Sequence, residues 1–98
     1  MAYQIIVKKR VTNKIQKILA YPEKEWSHKV AADFMLKIDR RIQLLTKQPL
    51  IGAPSTKIKE ISGLLITRHN RLYYKIEGDK VIILNMYDTR MNPQKNPY

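Results

Sequence analysis

Cysteine is absent from this chain. That excludes a disulfide framework and any thiolate-held metal, and it suits a reducing cytoplasm, the expected location. Acidic residues are scarce: 8 Asp and Glu stand against 19 Lys and Arg, a formal charge of +11 over 98 residues. Long apolar runs are missing too. Ile5–Val7, Gly63–Ile66 and Val81–Leu84 fall far short of the roughly 20 residues of a spanning helix. The opening segment also lacks the roughly 7 to 15 apolar residues of a secretory leader. Neither membrane association nor export is expected. There is no Gly-x-Ser-x-Gly elbow, no Walker loop, no His-Glu-x-x-His and no carboxylate cluster, so the common hydrolytic and nucleotide-binding sites lack their parts. The two histidines, His28 and His69, are far apart in sequence, and no metal or cofactor is expected.

What the chain does have is positive charge and clear periodicity. With 44% hydrophobic residues, its length suits a single domain, here placed over residues 1–91, with 92–98 as an extended tail. The charge asks for an anionic partner. Tyr3–Lys8 reads as a short strand around Ile5, Ile6 and Val7. Val11, Ile15, Ile18 and Leu19 then follow at helical spacing, with Thr12 or Asn13 available as N-cap and Lys14 and Lys17 left for the outer face. Pro22 ends or kinks that helix. Ser27 offers a new cap, and Val30, Phe34, Ile38, Ile42 and Leu45 define a second helix stopped by Pro49, Gly52 and Pro54. Trp26 is expected to clamp the connection between the helices.

Beyond Pro54, β-branched and aromatic alternation predicts strands over Leu64–Thr67, Leu72–Ile76 and Val81–Met86. Gly78-Asp79 is a two-residue hairpin signal, and Arg68-His69-Asn70 forms the preceding turn with Asn70 able to take positive φ. Lys57–Ile61 reads as an extended lead-in ending at Ser62-Gly63. The expected fold is α+β: an N-terminal strand, an antiparallel two-helix hairpin, then an antiparallel three-stranded meander.

The meander gathers Arg68, His69, Arg71, Tyr73, Tyr74, Tyr87, Asp88 and Arg90 near one another. One reading has Arg71 and Arg90 flanking a phosphate while tyrosines stack on bases. The other has Arg71 and Asp88 as a cross-strand ion pair, with Tyr73 or Tyr74 filling the core.

The order strand, two helices, meander, together with Asn70-Arg71-Leu72-Tyr73-Tyr74-Lys75-Ile76 and Ile82-Ile83-Leu84-Asn85-Met86-Tyr87-Asp88-Thr89-Arg90, resembles the RelE/ParE toxin superfamily over essentially the whole chain. Gln48-Pro49-Leu50-Ile51-Gly52 and the closing Asp88-Thr89-Arg90-Met91-Asn92-Pro93 are similar to its plasmid-stabilisation branch. The resemblance implies a sheet curled around the helices and a type II toxin neutralised by a cognate antitoxin. It leaves two targets: RelE-like members cut messenger RNA on the ribosome, and ParE-like members poison DNA gyrase.

By position, Arg71 and Arg90 match arginines of the nuclease branch and would be catalytic in a nuclease. The lysines of that branch fall on the apolar Leu64–Ile66, a glutamate falls near Ser55, and a histidine falls near Thr89 or Arg90. Lys57, Lys59 and His69 are neighbouring substitutes, and Tyr87 or Tyr98 a late tyrosine. Lys57, Lys59, Arg68, His69, Tyr73 and Tyr87 are the candidates for holding nucleic acid or the target. With the catalytic set incomplete, the resemblance favours a ParE-like gyrase poison. A RelE-like ribosome-dependent messenger endoribonuclease is the alternative, and a non-toxic basic nucleic-acid-binding module or decayed toxin the second.

Overall fold

The computed structural model describes residues 2–19 and 28–98; the expectations for Pro22, Trp26 and Ser27 lie outside the described residues. The elements are β1 (Gln4–Val7), α1 (Lys9–Leu19), α2 (His28–Lys47), β2 (Ala53–Pro54), β3 (Ile61–Thr67), β4 (Asn70–Glu77) and β5 (Lys80–Asp88). The class is the expected α+β. The strands form one sheet in the order β1-β5-β4-β3-β2. β1 lies parallel to β5, with Ile5 opposite Val81 and Val7 opposite Ile83, so the chain passes through both helices and the whole meander before that pair can close. The hairpin between β4 and β5 turns at Gly78-Asp79 as its dipeptide predicts. Glu77 faces Lys80, and Gly78 takes φ 59, the positive angle that lets a two-residue turn follow the strand twist.

Both helices pack on one face of the sheet, α1 against β5 and α2 against β3 and β1. Between helices and sheet lie Val11, Phe34, Ile38, Leu45, Leu64, Leu72, Tyr74 and Ile83, all buried. Among the described residues no helix is long and apolar enough to cross a membrane.

Several local expectations are corrected. α1 starts at Lys9, so Thr12 and Asn13 sit inside it and cap nothing. The Lys8 carbonyl accepts from the Val11 and Thr12 amides at 2.9 and 3.4 Å, and the helix follows directly on β1. β3 begins at Ile61, so Ser62 and Gly63 belong to a strand and pair with the short β2, which the sequence had not suggested. The segment before it is bent, not extended: the Ser55 hydroxyl accepts from the Lys57 and Ile58 amides, each at 3.1 Å, a local turn that competes with strand pairing. Positive φ falls on Glu60, at 71°, and not on Asn70. Asn70 instead opens β4 and donates its side-chain amide to Thr67 Oγ1 at 3.0 Å.

Tyr74 fixes the loop after α2. Its fully buried ring donates its hydroxyl to the Pro49 carbonyl at 2.7 Å and accepts from the Gly52 amide at 2.9 Å. Burial holds this phenol above its ordinary pKa, because ionising it in an apolar site is costly. A side chain at position 52 has no room: a Cβ there would lie 2.5 Å from the Tyr74 oxygen.

Candidate target-binding face

Strand alternation divides β4 between two environments. Leu72 and Tyr74 belong to the core under the helices, whereas Arg71 and Tyr73 project from the opposite face. Tyr73 stands opposite Gly63 on β3. A Cβ on Gly63 would lie 2.9 Å from Arg71 Cδ and 3.1 Å from Tyr73 Cε1. The glycine therefore lets the arginine stem and the tyrosine ring lie flat across β3. On the other side, Tyr73 pairs with Asn85 while Tyr74 pairs with Ile83, leaving Leu84 as the extra residue of a bulge that keeps Asn85 on the open face. Asn85 is buried. Its oxygen accepts from the Met86 amide at 2.9 Å, and its nitrogen donates to the Tyr87 hydroxyl at 3.3 Å.

The result is an aromatic platform: the Tyr73 and Tyr87 rings meet edge to face, with centroids 6.2 Å apart. Lys14 of α1 reaches this platform, its ammonium 3.8 Å from the Tyr87 ring centre and donating to the Met86 carbonyl at 2.9 Å. Lys14 is thus not the solvated outer-face charge that helical spacing predicts. Partial burial lowers its pKa, with Arg10 and then Lys17 adding repulsion.

The segment after β5 lies over the platform. It is not the extended tail expected for residues 92–98, because Pro93–Lys95 forms a 3-10 turn capped by the Asn92 side chain. Tyr98 stacks on Tyr73, with centroids 4.8 Å apart and planes 18° apart. Asn96 donates to the Tyr73 hydroxyl at 3.0 Å. The Lys57 ammonium donates to the Pro93 and Asn96 carbonyls, and the Ser55 hydroxyl to the Tyr98 carbonyl.

Arg71 and Arg90 are not a matched pair. Arg71 faces Tyr87, and Asn70 faces Asp88. The Asp88 carboxylate is engaged by Arg90, whose Nε and Nη2 donate to it at 3.0 and 2.7 Å. That pairing holds the Asp88 pKa down to about 2. Asp88 is thus paired with Arg90, and no Arg71–Asp88 ion pair forms among the described residues. Arg71 lines a cleft of about 170 Å³ with Tyr73, Tyr87, Thr89 and Asn96. Arg90 lines a different cleft of about 550 Å³, with His69, Asn70 and the α2 residues Phe34 and Lys37.

A sequence profile described as the ParE toxin of the type II toxin–antitoxin system parDE matches residues 5–93. The chain belongs to the ParE toxin family. No curated protein matches by sequence. The fold is similar to the chromosomal ParDE toxin–antitoxin system of P. aeruginosa, with TM-score 0.73 and 12% identity over 89% of this chain and 96% of that one. It is also similar to the RelBE2 complex of Mycobacterium tuberculosis, with TM-score 0.63 and 16% identity over 90% and 99%. The free RelE toxin of E. coli gives TM-score 0.62 and 15% identity over 92% and 86%.

In this ParE-family chain the residues proposed from sequence separate into groups. Lys57, Arg71, Tyr73 and Tyr87 converge on the platform and its tail. Lys59 lies in another cleft, beside Leu50, Ser62 and Lys75. Arg68 and His69 occupy the β3–β4 turn, where Arg68 Nε approaches His69 Nε2 at 3.4 Å. Sequence reasoning missed Lys14, Gly63, Asn85 and Asn96 as parts of this face. Lys14 carried no signal beyond its place on a polar helix stripe, but a glycine inside an apolar run, as at Gly63, marks close approach of a neighbour.

Proposed function

We propose that this chain is the toxin of a type II module, neutralised by a cognate antitoxin, and that it acts as a ParE-like poison of DNA gyrase and not as a messenger nuclease. The observation that carries this is the set of partners around Arg71. Phosphodiester cleavage needs a base and an acid near the scissile phosphate as well as charge stabilisation. Among the described residues lining the Arg71 cleft the carboxylate is Asp88, held well below the usual carboxylate range by Arg90, no histidine lines it, and the neighbouring Lys57 ammonium is engaged by the Pro93 and Asn96 carbonyls. A poison that acts by binding needs no such set. The match of the ParE profile to residues 5–93 supports the same choice.

Purified toxin added to gyrase and plasmid is expected to block supercoiling and trap cleaved DNA, and added antitoxin to restore supercoiling. The same preparation is expected to leave ribosome-bound messenger uncut. Codon-specific messenger cleavage that disappears in a folded Arg71→Ala variant would replace this reading with the nuclease one.

A further inference from the structure

Leu50 is 84% exposed, on a loop pinned to the core, and it lines two separate clefts. A lone exposed leucine is ordinary; this one is set apart by how it is held. Tyr74 donates to the Pro49 carbonyl and accepts from the Gly52 amide, and the Ile51 amide donates to the Gln48 carbonyl at 3.3 Å. The residues on both sides of Leu50 are fastened while its own side chain stands in water. We propose that Leu50 and its two clefts anchor the antitoxin, taking a segment with apolar side chains for the clefts and carboxylates for Lys47 and Lys59. The inference rests on the toxin–antitoxin reading for the existence of the partner and adds where that partner docks.

The shape comes first. The clefts hold about 610 and 430 Å³, and Leu50 and Ile76 line both, so the leucine is a ridge between two hollows. Tyr3 lines the larger one and, like Ile76, is partly buried against the hydrophobic core. An apolar side chain set there extends that core outward and takes Leu50 out of water, the main source of binding energy at such an anchor. The charge then selects the partner. Among the described residues, Lys47, Lys59 and Lys75 line the clefts against one carboxylate, Glu60. Lys75 is paired with Glu77, whereas Lys47 and Lys59 make no ion pair among the described residues. An apolar centre inside a polar rim is the layout of a protein-binding surface. With a net charge of +11, a second copy of this chain is repelled from it and an acidic segment is drawn to it. None of these residues lines the Arg71 cleft, so the anchor is separate from the platform.

The test measures the affinity of the purified antitoxin for the full-length toxin and its variants by calorimetry, with gyrase inhibition and sedimentation followed on the same preparations. Wild-type binding reports on the toxin–antitoxin reading, and the ratio of variant to wild type reports on the anchor. Leu50→Ser is expected to bind about 10- to 100-fold more weakly, the span for one lost apolar anchor, with its melting temperature unchanged because the side chain is exposed. Leu50→Met, close in volume, is expected to stay within about threefold of wild type. Lys47→Glu combined with Lys59→Glu is expected to weaken binding and to flatten its salt dependence. Unchanged antitoxin affinity in a folded Leu50→Ser variant overturns the proposal. A loss that appears instead in gyrase inhibition gives the leucine to the target, and one in self-association gives it to a second copy. A loss confined to Met35→Ser, at an exposed position of α2, moves the antitoxin to that helix. A wild type that binds no antitoxin sinks the toxin–antitoxin reading and the anchor with it.

Discussion

Asp88 holds Arg90 through both carboxylate oxygens, at 3.0 and 2.7 Å, and also accepts from the Arg90 amide at 2.8 Å. A residue and its neighbour two positions on thus form a closed unit at the end of β5. The second guanidinium that the sequence offered for a phosphate pairs with Asp88 and lines a neighbouring cleft, and Arg71 is the arginine that lines the platform cleft.

The Asp88 carboxyl should therefore titrate near 2 in the folded chain, against 3.8 ordinarily. The Arg90 hydrogen bonds are the main cause, and a carboxylate that accepts several donors holds its charge. With the folded pKa depressed, the stabilising contribution is present above about pH 4 and lost as pH falls toward about 2. Carboxyl NMR titration is the direct check. In Arg90→Ala the value should move back up toward 3.8; an unchanged value would mean that Arg90 is not the cause.

Gly52→Ala should be severely destabilising while Gly52 lies far from the platform in sequence. The new methyl would stand 2.5 and 2.8 Å from the Tyr74 hydroxyl and ring, and that ring is fully buried and cannot swing aside. Overpacking of this kind costs about 1–3 kcal/mol, or a melting temperature lower by roughly 5–20 °C for a domain of this size. Tyr74→Phe keeps the ring but strands the Gly52 amide and the Pro49 carbonyl, at about 1–3 kcal/mol. Thermal denaturation of both variants measures these losses.

The meander was legible because its signals are local. Gly78-Asp79 sits between alternating runs, and Glu77 does face Lys80. The parallel pairing of β1 with β5 was not legible, since its partners lie more than seventy positions apart (Gln4 with Lys80) and a short apolar run does not encode which edge it joins. β2, two residues long, is too short for any alternation. The candidate face was half legible: Arg71, Tyr73 and Tyr87 follow from register, whereas Lys14 and Tyr98 arrive from segments whose own patterns describe only a helix surface and an aperiodic tail. Their places are set by tertiary contacts.

Lys14 should titrate below its ordinary 10.5, with burial the main cause. Because the folded chain releases this proton before the unfolded chain does, stability should rise with pH just below 10.5 on account of this group. Tyr74, held above its ordinary 10.0, acts in the opposite sense once the unfolded phenol begins to ionise. Lys14→Met should remove the rising component and leave the Tyr74 loss in place. Urea denaturation of the two proteins across pH 9 to 11, a window of about two units around these values, checks it; identical alkaline profiles would refute the assignment.

Gly63→Ala should separate toxicity from folding. Its Cβ would stand 2.9 Å from Arg71 Cδ and 3.1 Å from Tyr73 Cε1. The nearer obstacle is the stem of a flexible arginine, not a locked core ring, so the strain is relieved by swinging Arg71 away and shifting Tyr73 by a few tenths of an ångström. The fold should survive with a loss of about 1 kcal/mol or less, well below that of Gly52→Ala. The platform should not: its arginine would leave the cleft, and the Tyr73 ring would shift from its place over β3. Growth arrest on expression should weaken at least tenfold in inducer requirement, about 1.4 kcal/mol of lost target affinity, while the melting temperature stays within about 5 °C of wild type. Arg71→Ala should reproduce the loss of toxicity with no loss of stability. Full toxicity in both variants, with soluble folded protein verified, would move the target-binding surface off this face of the sheet.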